Sequence, residues 1–309
     1  MGARLDADRP LTLQQLRAFL AVADLQSFSL AAHELGLSQP SISYQVKELE
    51  AALGVALLDR MGKRMRLTEA GDVLYDYAQR SLRLIDEAAA AIDHMRGLES
   101  GRLRVGASTT VGIYVVPLAL GAFKRRHPGI SVSLDIGGRA ILQDRLLRGV
   151  LDVAVLSPPL EHAELAAEPW MDDELVMVVP AGHRLDGRAG LTLRDFESEP
   201  FLMREVGSGT REEVEKAVAA AGVRLSVAME LGSNGAIKHA VEAGLGVAVL
   251  SRHAITMEAR AGSVVVVEVR GLPIRRPWVI AHVRGGQRGL PPAVEAFAGF
   301  LRDGRPAAG

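Results

Sequence analysis

The 309-residue chain sets 36 Lys and Arg against 37 Asp and Glu, is 48% hydrophobic, and contains no cysteine. This length exceeds one ordinary core and implies two or three domains. The near-neutral balance leaves any polyanion contact to a local patch of cations, and the missing thiols exclude disulfides, thiolate catalysis and cysteine-held metals. Asp6 and Asp8 precede any apolar run, unlike a secretory leader, and no uncharged apolar stretch of about 18 residues follows, so the expected setting is the cytoplasm with no membrane contact.

From Thr12 to about Leu25, the residues Leu13, Leu16, Phe19, Leu20 and Ala23 form one apolar stripe at helical spacing. A second short helix is signalled by Ser29 at a capping position, then Leu30, Ala31, Ala32 and Leu35, with Gly36 as its stop. Ser38 offers the next cap and Pro40 lies in the first turn, where a missing N–H costs nothing. In this third helix Ile42, Val46, Leu49 and Leu53 face inward. The opposite side carries Gln39, Pro40, Ser41, Ser43, Tyr44 and Lys47, the short hydrogen-bonding groups, aromatic and cation that suit a helix in the major groove. Taken alone, the same face fits an ordinary three-helix bundle with a solvated side. After Gly54, the basic residues Arg60, Lys63, Arg64 and Arg66 flank Gly62 in an apolar and basic alternation, which predicts a β-ribbon wing whose cations meet phosphates.

The segment from Leu13 to Gly71, with its SQPSISYQVKELE and LTEAG pieces, resembles the LysR-type transcriptional regulators. Leu57-Leu58 departs from that family's more frequent Leu-Phe. The resemblance implies a winged helix-turn-helix over 11–68 bound to double-stranded DNA through Ser29, Ser38, Gln39, Pro40, Ser41, Ser43, Tyr44, Lys47, Arg60, Lys63 and Arg64. Position 44 varies among relatives, which ties Tyr44 to operator choice.

A long helix over 69–97 follows, opened by Thr68 as cap and by Glu69 and Asp72 at its positive end. Leu74, Tyr77, Ser81, Leu84, Ala88, Ala91 and Met95 recur at alternating spacings of 3 and 4, a heptad seam. Pattern alone leaves two partners open, a second helix or the chain's own core. The resemblance favours dimerisation through this seam, and tetramers occur in the family. A twofold pair would read an interrupted inverted repeat.

Beyond Gly101 short apolar strands alternate with amphipathic helices, predicting an α/β fold with largely parallel sheets. Strands are expected at 103–106, 130–136, 153–156, 175–179, 247–250, 264–269 and 279–283; helices at 113–126, 141–148, 212–221, 237–243 and 291–301. The resemblance implies a two-lobed effector domain of periplasmic-binding-protein type over 102–305, with one lobe about 102–170 plus 276–305 and the other about 171–275. Loops after strands are the places for a ligand. Those loops supply Ser108, Thr109, Thr110, Arg139, Arg204, Ser208, Gly209, Thr210, Ser233 and Asn234, a set suited to a small anionic metabolite. Each hydroxyl alone is equally an ordinary helix cap. In the family the positions matching Ser108, Thr110, Arg139 and 208–210 line the effector cleft. MREVGSGTR and AGLGVAVLSRHA resemble the regulators of carbon-fixation or sulfur-assimilation genes more than those sensing aromatic compounds.

An enzyme on this scaffold would need chemistry the sequence lacks, since it has no G-x-S-x-G, Walker A lysine, dinucleotide fingerprint or metal-spaced histidine pair. A transport protein would leave residues 1–96 unexplained. The expectation is a regulator without cofactor, whose ligand alters lobe closure and thereby DNA bending and contact with RNA polymerase.

Overall fold

The computed structural model describes residues 11–61, 64–94, 101–284 and 290–304. They belong to two compact units, Met1–Ile92 and Asp93–Gly309.

In the first unit α1 (Leu13–Leu25) opens with a reciprocal cap between Thr12 and Gln15. It ends at Gln26, which takes a left-handed φ of 51° and turns the chain into α2 (Phe28–Leu35). Ser27, not Ser29, caps α2 by accepting from the Leu30 N–H at 3.3 Å. The Gln26 turn starts the helix early enough that Ser29 is already inside it, exposed in the first turn. Gly36 closes α2 with a φ of 63°. Ser38 then caps α3 (Gln39–Leu53) through the Ser41 N–H. Phe19, Val22, Ala31, Ile42 and Leu49 are fully enclosed, so α1, α2 and α3 share one core, each large side chain contributing about 1.5–3 kcal/mol by leaving water.

Strands β1 (Leu58–Met61) and β2 (Arg64–Leu67) pair antiparallel from Leu58 with Leu67 to Met61 with Arg64. The ribbon's entry is held by Glu50, whose Oε1 accepts from the Leu57 and Leu58 N–H groups at 2.8 and 3.2 Å. Helix α4 (Glu69–His94) starts on Thr68, whose hydroxyl accepts from the Gly71 N–H at 3.0 Å and donates to the Ala56 carbonyl at 2.7 Å.

The second unit has two lobes. In the first, β3 (Gly101–Ser108) runs parallel to β4 (Ile130–Gly137) and to β5 (Val153–Leu156). Between them lie α5 (Thr109–Tyr114), α6 (Val116–Arg126) and α7 (Arg139–Leu147). The single helix expected over 113–126 is two, because Pro117 has no N–H to continue a ladder and α6 restarts around it. The chain then enters β6 (Leu165–Pro180), which extends ten residues upstream of the expected strand and leads into the second lobe. There stand β7 (Pro200–Arg204), α8 (Gly209–Ala221), β8 (Ser226–Leu231), α9 (Asn234–Glu242), β9 (Ala248–Ser251), α10 (Thr256–Ala261) and β10 (Val264–Val267). β11 (Ile274–Val283) returns to the first lobe, where α11 (Pro292–Asp303) covers β3.

The sheets are mixed rather than largely parallel. β7 and β8 pair parallel, but β11 pairs antiparallel with β5 and β6, and β6 pairs antiparallel with β9 and β10. The reason is the double crossing: β6 leaves the first lobe and β11 re-enters it, so the two lie side by side in opposite directions. One core gathers Leu103, Phe123, Trp278 and Phe297, and another gathers Met177, Phe196, Phe201 and Val247.

Candidate functional site

On α3 the residues alternate in depth as a groove-reading helix needs. Ile42, Val46 and Leu49 are buried, while Ser38, Gln39, Pro40, Lys47 and Tyr44 are exposed, Tyr44 at 61%. Ser41 and Ser43 are half-buried at the flank of that surface. Lys63 lies outside the described residues, as do the side chains of Arg60 and Arg64; the backbone of the last two is in the ribbon.

Helix α4 has one packed and one exposed face. Tyr75, Ala78 and Gln79 are buried, Leu74 and Leu82 half-buried, and Tyr75 donates its hydroxyl to Asp24 of α1. This side packs on the chain's own core, taking in the seam residue Leu74. The remaining described seam positions, Tyr77, Ser81, Leu84 and Ala88, are exposed, Tyr77 at 63% and Leu84 at 61%. Met95 and the side chain of Ala91 lie outside the described residues.

In the second unit the loop residues converge. Asn234 is buried at the start of α9 and donates from Nδ2 to Thr110 Oγ1 at 3.0 Å, joining the second lobe to the first. Its Oδ1 accepts from Arg204 Nη1 at 2.7 Å. Arg204, buried at the end of β7, uses Nε and Nη2 to grip both Glu205 oxygens at 2.6 Å. Arg139, first residue of α7, donates to Glu212 of α8 at 3.3 Å, a second bond between lobes. Ser208 and Thr210 are buried at the start of α8, and the Ser208 side chain does not cap the helix. Ser108 closes β3 without capping α5, beside half-buried Thr109. Ser233 behaves as the plain cap of α9, accepting from the Ala236 N–H at 3.1 Å.

Sequence reasoning missed the groups beneath this cluster. Arg276 on β11 is 7% exposed and donates to Asp173 Oδ2 from Nε at 2.9 Å and Nη2 at 2.7 Å; Asp173 on β6 is fully enclosed and also accepts from Ser251 at 2.6 Å. Nη1 of Arg276 lies 3.7 Å from where a β-carbon on Gly209 would stand, so its free edge faces the start of α8. In sequence, Asp172-Asp173 and Arg275-Arg276 look like surface charges. Their signal was positional, one pair on each crossing strand. Lys238 was missed too: it pairs with Glu258 at 2.6 Å and sits 5.7 Å above the Tyr114 ring of the first lobe. Burial pushes the Tyr114 hydroxyl above its usual value, and the Glu258 charge adds to this against Lys238 and Arg204.

Every cation of the cluster has a carboxylate partner: Arg204 has Glu205, Arg139 has Glu212, Arg276 has Asp173 and Lys238 has Glu258. A winged helix-turn-helix unit and a two-lobed unit with polar groups gathered between its lobes together define a ligand-responsive DNA-binding regulator. Two family profiles match the chain, "Bacterial regulatory helix-turn-helix protein, lysR family" at residues 13–72 and "LysR substrate binding domain" at 96–306. The chain belongs to the LysR family of transcriptional regulators.

It is 37% identical to the RuBisCO operon transcriptional regulator of Allochromatium vinosum over 94% of this chain and 95% of that protein. A full-length OxyR point variant from Pseudomonas aeruginosa matches with a TM-score of 0.76 at 28% identity, covering 95% of both chains. The regulatory domain of CcmR from Synechocystis, solved in complex with 2-PG, matches with a TM-score of 0.63 at 33% identity, over 68% of this chain and 99% of that one.

Proposed function

We propose that this regulator acts in the cytoplasm as a dimer or tetramer, senses a small anion between the lobes of its second unit, and controls genes of carbon fixation. The observation that carries the sensing half is the bonded series Thr110, Asn234, Arg204, which spans both lobes among buried polar side chains. The anion site comprises Ser108, Thr109, Thr110, Arg139, Arg204, Ser208, Gly209, Thr210, Ser233 and Asn234, to which we add Arg276 for its edge toward α8. The A. vinosum relative's name supports the pathway, and the 2-PG bound to the CcmR domain supports a phosphorylated acid as probe. Among the described residues no helix is long and apolar enough to cross a membrane.

The domain division that serves this reading is 11–68 for DNA, 69–97 for dimerisation and 102–305 for the effector. An anion that fits one lobe arrangement better than another shifts the population by that difference, and the shift alters DNA bending and polymerase contact. DNA is held by the exposed face of α3, with Ser29 and the ribbon cations Arg60, Lys63 and Arg64 on phosphates.

The test titrates full-length protein with 2-phosphoglycolate, phosphate and sulfate while following its footprint on its own promoter. Thr110→Ala and Ser208→Ala, made separately, should each abolish the ligand-dependent change. Retention of the change in both variants would place the effector elsewhere. Lack of preference for the promoter over random duplex at moderate salt, with or without these anions, would sink the DNA reading.

A further inference from the structure

Strand β6 has β9 along one side, from Leu175 opposite Ser251 to Val178 opposite Ala248. Its other side is shared, since β10 ends with Val267 opposite Met177 and β11 begins with Ile274 opposite Leu175. Residues 268–273 therefore span a gap that β6 crosses at Val176 alone, and they loop away from the sheet. The loop is fixed, because the Arg270 N–H donates to the Leu191 carbonyl at 2.8 Å and the Leu272 N–H to the Val269 carbonyl at 2.9 Å. It borders a cavity of about 400 Å³ with Val176, Leu191, Val266 and Leu272 in its wall. Small-molecule sites span about 300–1,000 Å³. Arg252, Glu268 and Arg270 line it too. Glu268 and Arg270 flank buried Val269, the bridge partner of Leu191, so both leave the same side of the chain. Neither side chain has a hydrogen bond or ion pair among the described residues, not even with the other. Arg252 is held through Nε by Glu174 at 3.1 Å, which leaves its terminal nitrogens for another acceptor.

We propose that this cavity is a second small-molecule site, and that its ligand is an α-amino acid with an apolar side chain. Opposite charges two residues apart, with no bond between them, leave room for a molecule that bears both. The ligand's carboxylate fits the Arg270 and Arg252 guanidiniums, its ammonium fits Glu268, and its side chain fits the valine and leucine wall. A plain carboxylate would leave Glu268 without a partner, and an amine would leave two arginines without an acceptor. A zwitterion answers all three charges. The loop that walls the site feeds β11, so the ligand lies against one of the two strands that cross between lobes. None of the lining residues belongs to the cluster between the lobes, so this site stands or falls apart from the anion site.

Calorimetry on full-length protein with L-leucine, L-methionine and L-phenylalanine tests this. For the tightest of the three, the analogues lacking the ammonium and lacking the carboxylate are titrated as well; for leucine these are isocaproate and isoamylamine. The amino acid should bind about tenfold or more tightly than either analogue, since each has lost a charge-assisted bond. Glu268→Gln and Arg270→Gln alter exposed side chains and should leave the melting midpoint within a few degrees. Glu268→Gln should weaken the amino acid about tenfold or more and spare the analogue without ammonium, while Arg270→Gln should weaken the amino acid and spare the analogue without carboxylate. No binding by any of the three amino acids, equal affinity for the amino acid and an analogue, or unchanged affinity in either variant overturns the inference. None of these results bears on the anion between the lobes, whose own test uses Thr110→Ala and Ser208→Ala.

Discussion

Gly71 leaves no room for a side chain, since a β-carbon there would fall 2.1 Å from the Leu57 carbonyl oxygen and 3.1 Å from Leu67 Cδ2. The glycine lets α4 lie directly on the chain that leads into the ribbon, at the same carbonyl that accepts from the Thr68 N–H. Gly71→Ala must move backbone, and should cost roughly 1–3 kcal/mol, seen as a lower thermal midpoint of the first unit. Glu205 supplies a pH dependence of opposite origin. Burial pushes its carboxyl up, but the hydrogen bonds from Arg204 and a backbone N–H, with the Arg204 and Arg211 charges, hold it below the ordinary 4.5. A carboxyl held low contributes stability that is complete above about 4.5 and is lost as pH falls through its lower folded value. The exposed side chain keeps this below about 1 kcal/mol. Melting curves from pH 6 down to 3 should therefore flatten slightly in Glu205→Gln; an unchanged pH profile would contradict the pairing. Residues of this kind mark the limit of sequence reading. Ser208 and Asn234 were legible as residues at helix starts, from the amphipathic runs that follow them, whereas Arg276 and Asp173 were not legible as a buried pair, because a buried ion pair and two surface charges are written identically.

At the scale of elements, α4 shows how one helix can carry two amphipathic patterns at once. Leu74, Tyr75, Ala78 and Leu82 follow the spacing of a helix packed on its own domain, and Tyr77, Ser81, Leu84 and Ala88 follow that of a seam. The two stripes meet at Leu74, which is why the sequence admitted both partners. Their separation gives opposed expectations. Tyr77→Asp with Leu84→Asp places charge on exposed positions, so it should leave the melting midpoint of the first unit within a few degrees while sedimentation shows monomers. Ala78→Asp, inside the core, should instead unfold that unit. Dimers that persist in the first variant would reassign the pairing surface. The three helices of the first unit were legible from residues alone because Ser38, Gly36, Gly54 and the inward aliphatics agree, although Ser27 and not Ser29 caps α2; that their outer face meets DNA came from the resemblance. β7 and β8 were not. Ser226–Leu231 alternates Val227, Met229 and Leu231 over only six residues and is almost wholly exposed, and the part of β6 upstream of Leu175 contains Glu168, Asp172 and Asp173, whose charges disguise a strand.

For the molecule as a whole, the decisive feature is that β6 and β11 both pass between lobes and are bonded to each other along the way. Any change in lobe arrangement has to be accommodated in these two strands, and there Arg276 faces Asp173 in register, with Ser251 of β9 completing the carboxylate's partners. A pair this enclosed contributes little net stability over an apolar substitute, but loss of one member strands the other's charge, at about 3–5 kcal/mol. Arg276→Met leaves Asp173 with Ser251 alone, and Asp173→Ala leaves Arg276 without its carboxylate. Each single change should lower the urea midpoint of the second unit substantially, while the double variant should recover most of the loss, giving a large coupling energy. Additive losses would mean that the two crossing strands are held by their backbone ladder alone. In that case the ion pair could not act as the fastener that resists relative movement of the lobes, and the coupling of ligand to DNA would have to pass through the other links between them, Thr110 with Asn234, Arg139 with Glu212 and Tyr114 with Lys238.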